Sequence, residues 1–130
     1  MTADGSVSGV APPVALTMGE PAGIGPEIAA KAFASLQGSV PFFVIGDPRH
    51  LPKGVPFTRI DAPDKAHGAT SLPVLLHDFD TPRVPGVAQA EHAQPVIDAI
   101  ARAVDLTRRG QALAVCTNPI NTMALLKGWM

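Results

Sequence analysis

Short apolar runs, each bounded by turn residues, predict the strands of this chain. Val14–Thr17 follows two prolines and precedes a glycine-rich stretch, and residues 41–45 form a second apolar run before another glycine. Short apolar runs between such turn signals are typical of buried strands. Residues 113–116 form a third strong run of this kind, whereas Phe57–Ile60 and Leu72–Leu76 are weaker candidates among prolines.

Two stretches with helical periodicity lie between these runs. Pro26 suits a first helical position and Glu27 suits the positive helix N-terminus, so the first helix is predicted from Pro26 to about Leu36. The second helix is predicted to end at Gly110, with Pro95 at a boundary or in the first turn, because proline disrupts a helix interior. The apolar faces are predicted to be Ile28, Ala32, Phe33 and Leu36 in the first helix and Val96, Ile97, Ile100 and Val104 in the second.

The order of these elements predicts an α/β fold. A strand, a helix and a second strand within about 30 residues form a βαβ unit, which favours a parallel pair. Residues 1–12 are rich in Ser, Gly and Ala without periodicity, so they are predicted to form a flexible tail. Residues 13–130 are predicted to form one α/β domain that is incomplete, because the chain stops soon after the third strong strand.

The composition is that of a folded chain with little net charge. Hydrophobic residues make up 46% and charged residues 16% of the 130 residues, and the formal net charge is -1. This balance argues against a nucleic-acid partner and against a polybasic membrane patch. The sequence has neither a secretory signal nor an apolar run long enough for a membrane span, and its single cysteine fits a reducing compartment. A cytoplasmic location is therefore expected.

The most informative loop is Gly19-Glu20-Pro21-Ala22-Gly23-Ile24-Gly25. Its three glycines allow the backbone to pass close to a ligand, and the following helix would present unpaired N–H groups to an anion. The loop is neither a Walker loop nor a dinucleotide fingerprint, because Gly25 precedes Pro26 and Ile28 replaces the third glycine. From the residues alone, a ligand-binding loop and a tight turn remain open. Glu20 is a candidate exposed carboxylate of a site, or else a solvated loop acid.

A second polar loop, Thr117-Asn118-Pro119-Ile120-Asn121, follows the last predicted strand. Thr117 would place a hydroxyl, and Asn118 and Asn121 would place amides, at the end of this strand. The alternative is a helix cap in which one of these asparagines accepts from backbone N–H groups. Ligands of open α/β sheets bind at the carboxyl ends of the strands, where both polar loops are expected.

The other reactive side chains are predicted to be structural. Cys116 lies inside an apolar run and is expected to be an inert core residue. The four histidines, His50, His67, His77 and His92, are scattered without a pair at metal-ligand spacing. His77, Asp78 and Asp80 could form a metal or base site, but a turn at the end of a strand is favoured. We therefore assign neither a catalytic acid or base nor a metal ligand in this chain.

Four segments together resemble one family, the 4-hydroxythreonine-4-phosphate dehydrogenases, which are NAD-dependent enzymes of vitamin B6 biosynthesis, and their phosphosugar-acid relatives. The two most specific motifs are LTMGEPAGIGPEI (residues 16–28) and AVCTNPIN (residues 114–121). FVIGDP (residues 43–48) and PGVAQAEHA (residues 85–93) lie between them in the family's order and spacing. The resemblance covers about residues 14–121.

The resemblance implies an isocitrate/isopropylmalate dehydrogenase-like fold with two α/β domains and an active site in the cleft between them. It implies oxidation of a small phosphorylated hydroxy acid by NAD, followed by decarboxylation. It also implies a homodimer, and a divalent metal whose ligands are expected beyond this chain. The residues expected to line the cleft, and to bind substrate or cofactor, are Gly19, Glu20, Gly23, Gly25, Thr117 and Asn118.

The chain departs from the family in what it lacks. The family's Gly-His-Thr-Glu stretch and its three metal-binding histidines are absent, so the chain resembles the N-terminal third of such an enzyme and is expected to be inactive alone. The leading hypothesis is a 4-hydroxythreonine-4-phosphate dehydrogenase. Two alternatives are a non-catalytic truncated α/β fragment or ligand-binding module, and a dehydrogenase of an erythronate- or threonate-type phosphate.

Overall fold

The computed structural model describes residues 10–36 and 39–120. Five strands in this part of the chain form one sheet, in the order β3-β4-β2-β1-β5, and every neighbouring pair is parallel. The strands are β1 (Val14–Thr17), β2 (Phe42–Gly46), β3 (Phe57–Ile60), β4 (Leu72–Leu76) and β5 (Val115–Thr117). The predicted parallel α/β class is confirmed. The first nine residues of the predicted tail and Asn121 lie outside the described residues.

The strand order reverses at β1. The chain runs from β1 to β2 and on to β3 and β4 on one side of the sheet, and then returns to place β5 on the other side of β1. Leu16 in β1 therefore pairs with Val44 in β2 and with Cys116 in β5. Such a reversal opens a crevice at the carboxyl ends of the two diverging strands, and α/β proteins bind ligands in this crevice.

Helices α1 (Gly25–Leu36) and α2 (Ala93–Arg108) cover opposite faces of the sheet. Alternate residues of a strand point to opposite faces, so β1 contributes Ala15 to one core and Leu16 to the other. Ala15 packs with Ala99 and Ala103 of α2, whereas Leu16 packs with Ala29 of α1. In the described part of the chain, no helix is long and apolar enough to cross a membrane.

The predicted apolar face of α1 is partly wrong. Ala32 and Phe33 pack against the core as expected, but Ile28 and Leu36 are exposed and Ala29 is fully buried. The hydrophobic pattern favours the largest apolar side chains, whereas a helix that packs closely on a sheet places small side chains against the strands.

The buried face of α2 also differs from the predicted one, again because small side chains pack against the strands. Val96 is buried as predicted and Pro95 lies in the first turn, but Val104 is exposed and the inward positions belong to Ala99 and Ala103. Ile97 and Ile100 are half-buried.

The prediction that Cys116 is a core residue is wrong, because its side chain is exposed. Among the described strands, β5 is an edge strand that pairs with β1 alone. Its strand begins two residues later than the predicted run, and Leu113 before it is also exposed. The apolar sequence of β5 alone does not make it buried, because no described residue covers the edge of β5 that faces away from β1.

Candidate functional site

The two polar loops meet at the crevice between β1 and β5. The Glu20 backbone N–H donates to the Pro119 carbonyl over 3.0 Å. The Asn118 side-chain amide donates to the carbonyls of Thr17 at 3.2 Å and Gly25 at 3.4 Å. Asn118 is buried and connects the end of β1 to the start of α1. In these bonds its amide donates to carbonyls, whereas a helix-capping asparagine accepts from N–H groups.

Two glycines allow this close approach. A Cβ atom at Gly25 would overlap the Met18 carbonyl oxygen, and one at Gly19 would overlap the Pro119 carbonyl oxygen. Gly19 also has a φ of 73°, which favours glycine. At Gly23 a Cβ would lie 3.5 Å from the Glu20 carbonyl oxygen, an ordinary contact. The predicted approach of this loop to a ligand stays a prediction, whereas the packing of backbone against backbone requires glycine at Gly19 and Gly25.

Glu20 is buried, with 6% of its surface exposed, so the prediction of an exposed carboxylate is wrong. The loop turns back on itself here, because the Gly23 N–H donates to the Glu20 carbonyl over 3.0 Å. The Glu20 side chain accepts from the Ala22 N–H over 3.3 Å. This tight turn and the bond to Pro119 enclose the carboxylate inside the loop.

Thr117 and Asn118 differ in their surroundings. Thr117 pairs with Thr17 across the two strands and is exposed, whereas Asn118 is buried between the loops. Together with Gly19, Glu20 and Gly25, they lie at one edge of the sheet, as the two motifs predicted. Whether this group of residues binds substrate or cofactor stays a prediction.

A second cluster lies at the ends of β2 and β4, and spacing did not reveal it. His50 and His92 are fully buried, and their ring centroids are 5.1 Å apart. His50 Nε2 lies 3.0 Å from the Thr81 carbonyl oxygen, and His92 Nε2 lies 2.8 Å from the Thr81 hydroxyl. The Phe79 ring packs edge-on against both imidazoles. Thr81 lies 31 positions from His50 and 11 from His92, so no local sequence pattern indicates these contacts.

This cluster does not fit a divalent metal. Within residues 10–36 and 39–120, no three His, Cys, Asp or Glu side chains form a group that could hold one. His77, Asp78 and Asp80 form the predicted turn after β4, in which Asp80 has a φ of 69°. Metal ligands beyond this part of the chain remain an expectation from the family resemblance.

Asp47 is a buried carboxylate at the end of β2. It accepts from the Arg49 backbone N–H at 3.0 Å, the Phe79 N–H at 3.2 Å and the Arg49 guanidinium at 2.7 Å. Burial alone would raise the pKa of Asp47, but the hydrogen bonds from Arg49 and Phe79 outweigh burial and hold this pKa below its ordinary value. Asp47 therefore joins the carboxyl ends of β2 and β4 as an ionised group.

We expect the chain to lose stability as the pH falls below about 6.5, the ordinary histidine pKa. Burial lowers the pKa of both His50 and His77, so the unfolded chain binds protons before the folded chain does. Stability then rises with pH in this range, by up to about 1.4 kcal/mol per pH unit for each such histidine. Urea denaturation at pH 7.5 and 5.5 measures the difference.

The variant His50→Gln removes one of the two histidines whose pKa is lowered by burial and should reduce this pH dependence. The comparison uses the change between the two pH values for each protein, so a general loss of stability in the variant does not affect it. A variant with the same pH dependence as the original chain would contradict the assignment to His50.

No family model matches the chain, but several known proteins are similar to it in sequence. The chain is 50% identical over 116 residues to a 4-hydroxythreonine-4-phosphate dehydrogenase from Paracoccus denitrificans, with 89% of this chain and 35% of that protein covered. A protein of the same name from Roseobacter denitrificans is 49% identical, with 89% and 36% covered. The chain spans about a third of the length of these relatives.

Two solved structures share its fold. A 4-hydroxythreonine-4-phosphate dehydrogenase from Klebsiella pneumoniae has a TM-score of 0.78 at 30% identity, covering 91% of this chain and 40% of that one. A terephthalate 1,2-cis-dihydrodiol dehydrogenase from Burkholderia xenovorans has a TM-score of 0.68 at 27% identity, covering 90% and 37%. These similarities confirm the resemblance and the isocitrate/isopropylmalate dehydrogenase-like fold class.

Proposed function

We propose that this chain, which is homologous to the 4-hydroxythreonine-4-phosphate dehydrogenases, supplies one wall of the active-site cleft of such an enzyme. The reaction is the NAD-dependent oxidation of 4-hydroxythreonine 4-phosphate, with decarboxylation, in vitamin B6 biosynthesis. The observation that carries the proposal is the contact of residues 19–25 with Asn118 and Pro119 where the strand order reverses. The chain corresponds to the N-terminal third of the enzyme and is inactive alone.

The geometry of this wall fits a phosphate group of either the substrate or NAD. The positive end of the α1 dipole favours an anion, and Glu27 lies in this first turn, in which Pro26 has no N–H and the Ile28 N–H donates to the Ile24 carbonyl over 2.9 Å. Gly19 and Gly25 let the two loops pack directly against each other, which fixes this helix terminus beside the crevice. When bound, NAD accepts the hydride.

The role of these residues is to bind and to orient. Holding a substrate in a reactive geometry is worth several kcal/mol of the barrier without any proton transfer. We assign no catalytic acid or base among the described residues. The metal ligands, the second domain, the homodimer and the cytoplasmic location are further parts of this proposal that rest on the family resemblance.

Two alternatives remain. Among the described residues, β5 has one unpaired edge and Cys116 is exposed, which favours a non-catalytic α/β fragment or ligand-binding module, because an unpaired strand edge can pair with another chain. A dehydrogenase of a related phosphosugar acid would use the same loops. The Burkholderia xenovorans neighbour, named for a different substrate, is consistent with a fold that serves several dehydrogenases.

A chimera tests the proposal. Residues 10–120 of this chain replace the matching segment of the Paracoccus denitrificans dehydrogenase, and NADH formation is followed with 4-hydroxythreonine 4-phosphate. We expect kcat/KM within about tenfold of the parent enzyme, a difference of about 1.4 kcal/mol, and no activity from this chain alone.

A matched pair of variants then locates the effect. Asn118→Ala should lower kcat/KM of the chimera by about a hundredfold, because displacing a positioned loop by about 1 Å costs that much. Gln94→Ala removes an exposed amide on α2 and should leave activity unchanged. Since a related phosphosugar-acid dehydrogenase would use the same loops, the chimera is also assayed with erythronate- and threonate-type phosphates, and activity on any of these substrates supports the role of this chain as a cleft wall. A folded chimera inactive on all of them would favour the fragment.

A further inference from the structure

A segment distant in sequence lies against the glycine loop. We call residues 80–87 the latch. The Gly86 N–H donates to the Ala22 carbonyl over 2.8 Å. The Arg83 guanidinium donates to the carbonyls of Pro21 at 3.2 Å and Gly23 at 3.4 Å. The latch therefore contacts three consecutive residues of the loop that the proposed function places at the ligand.

Arg83 also pairs with the first turn of α1. Its two terminal nitrogens donate to the two oxygens of Glu27 at 3.2 and 3.3 Å. The Arg83 side chain is only 9% exposed. Its hydrogen bond is the largest cause that holds the pKa of Glu27 below its ordinary value. One guanidinium thus ties the loop backbone to the helix that follows it.

The latch is itself held at its base. The Thr81 carbonyl and hydroxyl contact the buried His50 and His92. The Gln89 side chain donates to the Pro82 carbonyl over 3.1 Å, and Val84 and Val87 form a β-bridge. Arg83 therefore projects from an anchored backbone, and its contacts restrain the loop.

We propose that Arg83 is a positioning residue, which fixes the shape of residues 19–25 and neutralises Glu27 beside the phosphate site. This inference rests on the proposed function. A loop already held in its bound shape loses less conformational freedom when a ligand binds. An uncompensated Glu27 carboxylate in the first turn of α1 would repel a phosphate at the same helix terminus, and Arg83 offsets that charge.

The planar guanidinium suits this role better than a lysine would. Arg83 reaches two carbonyls and a carboxylate with its two terminal nitrogens, in a fork that an ammonium group does not reproduce. Arg83→Lys therefore keeps the charge and loses the fork, whereas Arg83→Met loses both.

Hydrogen exchange of this chain tests the positioning role without any activity. In Arg83→Met we expect amides of residues 19–27 to exchange about tenfold faster, and in Arg83→Lys by a smaller factor. Arg49→Met is the matched control: it removes another arginine that pairs with a carboxylate, and its hydrogen bonds leave the loop untouched. Unchanged exchange at residues 19–27 in both Arg83 variants would overturn the proposal. An equal increase in Arg49→Met would also overturn it.

Kinetics of the chimera test the effect on the ligand. Arg83→Met should raise KM for the phosphate-bearing ligand about tenfold and change kcat little. Adding Glu27→Gln should recover part of the lost affinity, because it removes the uncompensated charge. Equal losses in kcat and kcat/KM, or no recovery with Glu27→Gln, would overturn the charge argument. If the unmodified chimera is inactive, the proposed function fails, and hydrogen exchange alone then decides whether Arg83 holds the loop.

Discussion

Replacing Gly25 with alanine should lower the free energy of unfolding by about 3 kcal/mol and abolish activity in the chimera. The added Cβ would overlap the Met18 carbonyl oxygen and would also lie 3.1 Å from the Asn118 Cβ. Both neighbours belong to the crevice between β1 and β5. The overlapping atom of Met18 is a backbone oxygen, so a side-chain rotation cannot relieve the overlap. Relief requires moving the start of α1 away from the end of β1. The orientation of both loops changes with it.

Gly23→Ala is the matched control, because it adds the same methyl group to the same loop. Its Cβ would lie 3.5 Å from the nearest atom, the Glu20 carbonyl oxygen, so we expect a change within about 0.5 kcal/mol. Urea denaturation of both variants measures the difference in unfolding free energy. If the two variants are equally stable, the close contact at Gly25 does not limit how α1 packs.

Local sequence patterns predicted the elements of the sheet because their causes are local. Val14–Thr17 begins with three apolar residues and lies between turn residues, which is sufficient to specify a buried strand. Pro26 and Glu27 likewise mark the start of α1 through preferences of the first helical turn. The two loops were expected at one edge because parallel strands end on the same side.

The residues that sequence patterns missed depend on contacts between distant segments. Arg83 lies 60 positions from Gly23, and His50 and His92 meet through Thr81. A loop arginine without a motif has no sequence signal that distinguishes it from a solvated charge. The enclosure of Glu20 was missed for the same reason, since it depends on the bond to Pro119.

Replacing Asp47 with alanine should lower the free energy of unfolding by about 3 kcal/mol. The buried Phe79 N–H would lose its acceptor, which costs about 1–3 kcal/mol, and the turn at Pro48–His50 would lose its N-terminal cap, which costs about 1 kcal/mol. The Arg49 side chain is half-exposed, so water replaces much of the ion pair with Asp47. The loss of this ion pair therefore contributes little to the change in unfolding free energy. Denaturation of the variant at neutral pH measures the sum.

Asp78→Ala separates the buried carboxylate from the exposed ion pair on the same arginine. Asp78 lies 3.3 Å from the Arg49 guanidinium with 69% of its side chain exposed, so its loss should cost at most about 1 kcal/mol. If Asp47→Ala and Asp78→Ala lose the same free energy of unfolding, the stabilisation comes from the ion pairs of Arg49 and not from the hydrogen bonds that Asp47 accepts.

The pH dependence of Asp47→Asn makes a further distinction. Asparagine keeps one acceptor oxygen but has no charge. The loss of unfolding free energy in Asp47→Asn therefore measures what the negative charge of Asp47 contributes. The pKa of Asp47 is lower in the folded than in the unfolded chain, so its charge stabilises the fold above the unfolded pKa of about 3.9. This contribution is lost as the pH falls through the folded pKa. The stabilities of Asp47→Asn and the original chain should therefore converge on acidification below about pH 4, and a deficit that stays constant would show that Asp47 acts through its shape alone.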